Sequence, residues 1–201
     1  MDRPARLRRA DVPGPPDRTG DACRHVVLVG LMGAGKTTVG RLVAARLARP
    51  FVDGDDVLRA EAGRDASRIA HDEGVAVLHA REARILLDAL GRDDPSVIAP
   101  AASVVDDPTC RRALRQPGVL VVHLRASAET LARRAAGGAH RRAIGPDPAA
   151  AFRAQTRERA ARFAAVRPAV TIDVDDRSPQ ETASHVLRAL GQATGGSSTE
   201  A

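Results

Sequence analysis

The stretch Gly30-Leu31-Met32-Gly33-Ala34-Gly35-Lys36-Thr37 constrains the fold more than any other part of this chain, because it matches the spacing G-x-x-x-x-G-K-T. Five strand-like residues, His25 to Val29, precede it, and an amphipathic run from Thr38 to Arg49 follows. A strand entering a glycine-rich turn that opens into a helix predicts backbone N–H groups converging on phosphate. Glycine keeps those amides unobstructed, and the helix N-terminus adds a positive dipole. Lys36 is placed to reach the β- and γ-phosphates, and the Thr37 hydroxyl to ligate magnesium. Gly33, Ala34, Gly35 and Thr38 complete the expected nucleotide-binding set. Lys36 is also the only lysine in the chain, every other Lys or Arg being arginine, so this position calls for a compact ammonium.

Beyond the loop, β-branched runs at 25–29, 51–52, 96–99, 119–124 and 170–174 alternate with helical periodicity. The helical stretches are 37–49, 55–62, 66–73, 75–90, 107–115, 127–135, 148–164 and 178–190. Such alternation predicts an α/β fold, a parallel sheet with helices on both faces. The 201 residues fit one compact domain. Residues 1–24, rich in Pro and Arg without a hydrophobic period, read as a disordered basic leader. The folded domain is expected over 25–191, and residues 192–201 as a flexible tail.

The net charge of +6 invites a nucleic-acid reading, but aromatic residues are only 1% and the arginines are spread along the helices. Base stacking needs aromatic platforms and readout needs a clustered basic face, so no nucleic-acid partner is expected. No run of eighteen apolar residues is present, so no membrane span is expected. The N-terminus lacks the apolar stretch of a signal peptide, so a cytoplasmic location is expected. Cys23 and Cys110 stand far apart and read as free thiols. The six histidines, His25, His71, His79, His123, His140 and His185, are scattered, so no structural metal is expected.

A second motif follows the first helix. In Phe51-Val52-Asp53-Gly54-Asp55-Asp56 a short strand delivers carboxylates at its carboxyl end, where ligands bind in open α/β sheets. If the extended backbone continues, Asp53 and Asp55 face the same side. One can hold a water on magnesium, and the other can orient or deprotonate an acceptor hydroxyl. The competing reading is capping, with Asp55 or Asp56 starting a helix at 57.

The sequence GLMGAGKTTVGRLVAARL followed by PFVDGDD resembles the opening of shikimate kinases, and weaker similarity continues to about Leu190. The resemblance implies the three-layer P-loop NTPase fold: five parallel strands, flanking helices and a mobile lid at about 136–148. It implies an ATP-dependent kinase, with magnesium, that moves the γ-phosphate to the 3-hydroxyl of shikimate, and it leans toward a monomer. By resemblance Lys36 and Thr37 serve nucleotide and magnesium, Asp53 holds magnesium through water, and Asp55 binds the substrate hydroxyls. Arg134 takes the place of the adenine-side arginine, and Arg141 or Arg142 that of the lid arginine facing the transferring phosphate. Arg159 stands where the family grips the substrate carboxylate. Arg177, in Asp176-Arg177-Ser178-Pro179, falls in the adenine-contacting loop, where an N-capping turn is the competing reading.

Three departures fall on the acceptor side. Leu78-His79 stands where the family has Phe-Arg, so His79 becomes the acceptor-site candidate; it cannot form the bidentate contact of arginine. Pro100-Ala101-Ala102 replaces a glycine triplet, and Arg59 replaces an acidic residue. Two alternatives therefore stand beside shikimate phosphorylation: a kinase for another hydroxylated acceptor, since Phe51-Val52-Asp53-Gly54-Asp55 is also similar to gluconate kinases, or a catalytically weak nucleotide-binding homologue.

Overall fold

The first strand, β1 (His25–Val29), is buried along its whole length, which a strand needs if neighbours flank it and helices cover both faces. The structure is a computed structural model that describes residues 25–136 and 146–195. The expected leader, Arg141 and Arg142 with most of the expected lid, and residues 196–201 lie outside the described residues.

From β1 the chain passes through the glycine-rich loop into α1 (Lys36–Leu47), then β2 (Phe51–Asp53), α2 (Gly54–Ala62), α3 (Ala66–Asp72) and α4 (Val75–Leu90). After β3 (Ser96–Ala99) come a short 3-10 turn at Ala102–Val105 and α5 (Pro108–Ala113). The chain then forms β4 (Val119–Arg125), α6 (Ala128–Ala136), α7 (Pro148–Ala165), β5 (Val170–Asp173) and α8 (Pro179–Gly195). The strands form one sheet in the order β2-β3-β1-β4-β5, and every pairing is parallel. The five-stranded parallel α/β fold expected from the sequence is therefore present. β1 sits in the middle with its successors distributed to either side, so the loop that follows it opens into the crevice where the winding reverses.

The main core joins both sides of the sheet through residues such as Val27, Leu28, Ile98, Val122, Leu131 and Phe152. A satellite core of Leu58, Ile69, Leu78 and Ile85 ties α2, α3 and α4 together. Two of its members, Leu58 and Leu78, immediately precede Arg59 and His79, so this small core sets how both present themselves.

Several boundaries differ from the sequence expectation, among them the following three. α2 begins at Gly54, because the Asp53 carboxylate accepts a hydrogen bond from the Asp55 amide at 3.0 Å. The cap is Asp53, and neither Asp55 nor Asp56 fills that role. The helix expected over 107–115 shortens to α5, since Asp107 caps it by accepting from the amides of Thr109 and Cys110, with Pro108 at the first turn. At the other end of the chain, α8 continues past 190 to Gly195 and takes in the first residues of the stretch read as a tail. Among the described residues no helix is long and apolar enough to cross a membrane.

Cys110 is buried and free. Burial, reinforced by the negative charge of Asp107, pushes its thiol up to about 12, so it serves as a small apolar core residue.

Candidate active site

The phosphate loop is built by backbone conformations that side chains would oppose. Gly30 has φ +151°, and a Cβ there would sit 2.4 Å from the Leu124 carbonyl oxygen of β4. Gly35, at φ +93°, turns the chain into α1 from the left-handed region. Ala34 is buried, so its side chain anchors the loop against the core and only its backbone faces a ligand. The Lys36 ammonium donates to the Gly30 carbonyl at 2.9 Å and the Leu31 carbonyl at 3.3 Å, which closes the loop on itself. Thr37 and Thr38, on the first turn of α1, are both exposed.

The loop forms one end of a cavity of about 310 Å³ that brings together Gly33, Gly35, Lys36, Thr37, Thr38, Asp53 and Asp55 with Arg59, His79, Glu82, Pro100, Ala101, Ala102 and Arg159. Residues more than a hundred positions apart in sequence thus share one chamber. Asp53 and Asp55 do reach the same cavity, although the extended backbone on which the alternation argument rested stops at Asp53. Asp53 is buried and its Oδ1 is engaged by the capping bond.

Asp55 opens on the water of the cavity, yet protein atoms crowd most of its surroundings. That crowding is the largest influence and raises its pKa above the ordinary carboxylate value; Lys36 opposes the shift and Asp53 adds to it. A carboxylate of raised basicity beside a phosphate-binding lysine is suited to accept a proton from a hydroxyl.

The acceptor half of the cavity is charged and braced. Glu82 on α4 accepts a short hydrogen bond from the Ser103 hydroxyl, linking that helix to the turn after β3. Pro100 and Ala101 carry the chain from β3 into that turn, and both line the cavity where close backbone approach would require glycine. Arg159 lines the cavity too, but its guanidinium is engaged by Asp106: Nε and Nη2 donate to Oδ2 at 3.0 and 2.8 Å. Arg162 donates to the other carboxylate oxygen at 2.8 Å. Arg159, the residue expected to grip the acceptor carboxylate, therefore lines the cavity while sharing its guanidinium with Asp106 and Gln155.

A second, narrower recess of about 290 Å³ lies on the other side of the loop. It is lined by Gly33, Gly35, Thr38, Arg134, Arg177 and Pro179, so both arginines assigned to the adenine side meet there. Arg134 donates to the Gly33 carbonyl at 3.4 Å and the Val174 carbonyl at 3.0 Å, while Arg177 donates to the Asp173 carbonyl. The capping alternative for the 176–179 turn also holds. Ser178 Oγ accepts from the Glu181 amide at 3.2 Å, and Glu181 reaches back to the Ser178 amide at 2.8 Å, a capping box with Pro179 at the first helical position. One turn therefore both starts α8 and walls the recess.

Sequence reasoning passed over Asp106, Ser103 and Gln155. Gln155 precedes Arg159 by one helical turn on α7, and its side-chain carbonyl accepts from Arg159 at 3.4 Å, so the i,i+4 spacing could have flagged it. Asp106 and Ser103 follow Pro100-Ala101-Ala102, which departs from the glycine triplet, so no matched motif drew attention to them.

The comparisons with known proteins agree with this geometry. The family described as shikimate kinase matches residues 32–191. A shikimate kinase of Symbiobacterium thermophilum is 43% identical over 169 residues, covering 83% of this chain and 95% of that protein. One of Streptomyces avermitilis is 36% identical over 166 residues, again covering 83% of this chain and 95% of its relative. Among solved structures, shikimate kinase from Acinetobacter baumannii in complex with shikimate superposes with a TM-score of 0.80 at 26% identity, over 92% of this chain and all of that one. A family match spanning most of the chain, the parallel five-stranded sheet and a phosphate loop facing a carboxylate-lined cavity lead to one conclusion: this chain belongs to the shikimate kinase family.

Proposed function

We infer that this protein transfers the γ-phosphate of ATP to the 3-hydroxyl of shikimate. The observation that carries the reading is the single cavity in which the phosphate loop, Lys36 and Thr37 meet Asp53 and Asp55. Lys36 and the loop amides hold the phosphates, with Arg134 and Arg177 bounding the recess suited to adenine. Asp55 orients the acceptor hydroxyl and, with its raised pKa, takes the proton as the new P–O bond forms. Fixing both reactants in one chamber supplies much of the rate enhancement in phosphoryl transfer.

The residues present fit magnesium. Thr37 offers an exposed hydroxyl, and the carboxylate of Asp53 faces the same space. An ion bound mainly through phosphates and water needs few protein ligands. When bound, magnesium would neutralise charge on the β- and γ-phosphates. A monomeric, cytoplasmic enzyme belongs to the same reading, and sedimentation of the purified chain checks the first part.

The alternatives are less well supported. The family match favours shikimate over gluconate as acceptor, and an intact loop with a basic Asp55 argues against a merely nucleotide-binding homologue. The test is ADP release with ATP, magnesium and shikimate, beside gluconate and other hydroxy acids. Shikimate-dependent turnover, lost in Lys36→Ala, is expected. Turnover with another acceptor alone, or turnover surviving Lys36→Ala, would overturn the assignment.

A further inference from the structure

The acceptor of the proposed reaction is an anion, and the cavity that must receive it is rich in carboxylates. Asp53, Asp55, Asp65 and Glu82 all line it. A carboxylic acid entering that space needs a cation whose hydrogen-bonding capacity is not already committed. Arg159 is braced by Asp106, and the Lys36 ammonium is directed to the loop carbonyls beside the phosphate site. His79 carries an imidazole, which offers no guanidinium fork.

Arg59 is differently placed. It stands on the last turn of α2 and lines the cavity, and its positive charge works against the rise that burial imposes on the Asp55 pKa. Its ion pair to Asp56 at 2.9 Å uses a single guanidinium nitrogen on an exposed surface, where such pairs contribute little. Asp56 also keeps Arg41 as a partner at 3.3 Å, so it is not abandoned if Arg59 turns inward. Leu58 is buried in the satellite core with Leu78, which ties α2 to α4, and the residues that follow them, Arg59 and His79, both line the cavity.

We propose that Arg59 is the residue that binds the acceptor's carboxylate, sharing it with His79 and with the outer edge of the Arg159 guanidinium. This rests on the kinase reading above and deepens it: the protein selects hydroxylated monocarboxylic acids through a cation on α2. Bidentate recognition of a carboxylate requires the planar fork, so lysine is a partial substitute at best.

The test measures steady-state kinetics of wild type, Arg59→Gln and Arg59→Lys with shikimate and with its neutral methyl ester. Arg59→Gln is expected to raise the KM for shikimate by about tenfold or more, with the KM for ATP changed by less than about twofold. Arg59→Lys should fall between the two. With the methyl ester, wild type and Arg59→Gln should have the same kcat/KM within about twofold, because no carboxylate remains to be recognised. A smaller KM shift with shikimate, or an equal penalty on acid and ester, overturns the proposal. Wild type that neither turns over nor binds shikimate sinks the acceptor assignment and this inference with it. Turnover by wild type with an unshifted Arg59→Gln sinks the inference alone.

Discussion

Asp106→Asn isolates the contribution of the ion cluster that braces the acceptor wall. The Asp106 carboxylate accepts from Arg159 Nε at 3.0 Å and Nη2 at 2.8 Å, and from Arg162 Nη1 at 2.8 Å. The side chains of Arg159 and Asp106 are 15% and 24% exposed, so the pair lies between the fully buried and the surface cases. Breaking a fully buried pair costs about 3–5 kcal/mol and an exposed one about 0–1 kcal/mol; with water reaching part of this cluster, a loss of about 2 kcal/mol follows. For a domain of this size that corresponds to a fall in Tm of roughly 4–8 °C. The pH dependence adds a second, independent signature. Burial alone would raise the Asp106 pKa, but the hydrogen bonds and charges of Arg159 and then Arg162 outweigh it and hold the carboxyl below its usual value. A carboxyl depressed in the folded state contributes stability that is present above its unfolded pKa, about 3.9, and lost as pH falls through the folded value. Thermal unfolding followed by circular dichroism should therefore show the full gap between wild type and variant at neutral pH, closing below about pH 4. No gap at pH 7 would refute the energetic reasoning. A gap that persists unchanged in acid would mean the substitution acts through packing and not through charge.

Three further predictions concern catalysis and the loop. Asp55→Asn should lower kcat by about 10²–10⁴-fold with ATP binding changed by less than about threefold, measured by ADP release and calorimetry; equal loss of both would remove its acceptor role. In wild type, kcat/KM for shikimate should fall as pH drops through a value above the ordinary carboxylate range, because burial raises the Asp55 pKa; an inflection at or below the ordinary value would argue against it as the base. Gly30→Ala places a Cβ 2.4 Å from the Leu124 carbonyl oxygen at φ +151°, and should destabilise the fold by about 1–3 kcal/mol in chemical denaturation while weakening ATP binding. An unchanged midpoint would show that β4 yields easily at that point.

The nucleotide half of the site was legible because its chemistry lies in local backbone. Gly30, Gly35, Lys36 and Thr37 are consecutive with a strand and a helix, and the positive φ angles that glycine permits can be anticipated from spacing alone. All five strands were likewise placed within a residue or two, since each is a short β-branched run in a sheet buried on both faces. The acceptor half was not legible in the same way. Asp106 and Arg159 are 53 positions apart, and their pairing depends on α7 crossing the turn after β3, which no periodicity encodes. The start of α2 was misplaced for a smaller reason: three aspartates in four positions all qualify as caps, and only the path of the chain leaving β2 selects Asp53.

The departures at Arg59, His79 and Pro100–Ala102 gain meaning when placed together. They are scattered in sequence but converge on the same end of one cavity, while the opposite end keeps its phosphate loop intact. Random erosion of an unused site would not confine itself to one wall, nor leave Glu82 bonded to Ser103 and Arg159 held by Asp106. Loss of a guanidinium at 79 is accompanied by a guanidinium at 59, and the side chains after β3 narrow the space from a third direction. On the proposal made above, the acceptor's carboxylate is held from α2. A carboxylate anchored by Arg59 would also set which hydroxyl is presented to Asp55. Arg59→Gln should for that reason also lower kcat toward shikimate modestly, a loss that a purely electrostatic attractant at the cavity mouth would not produce.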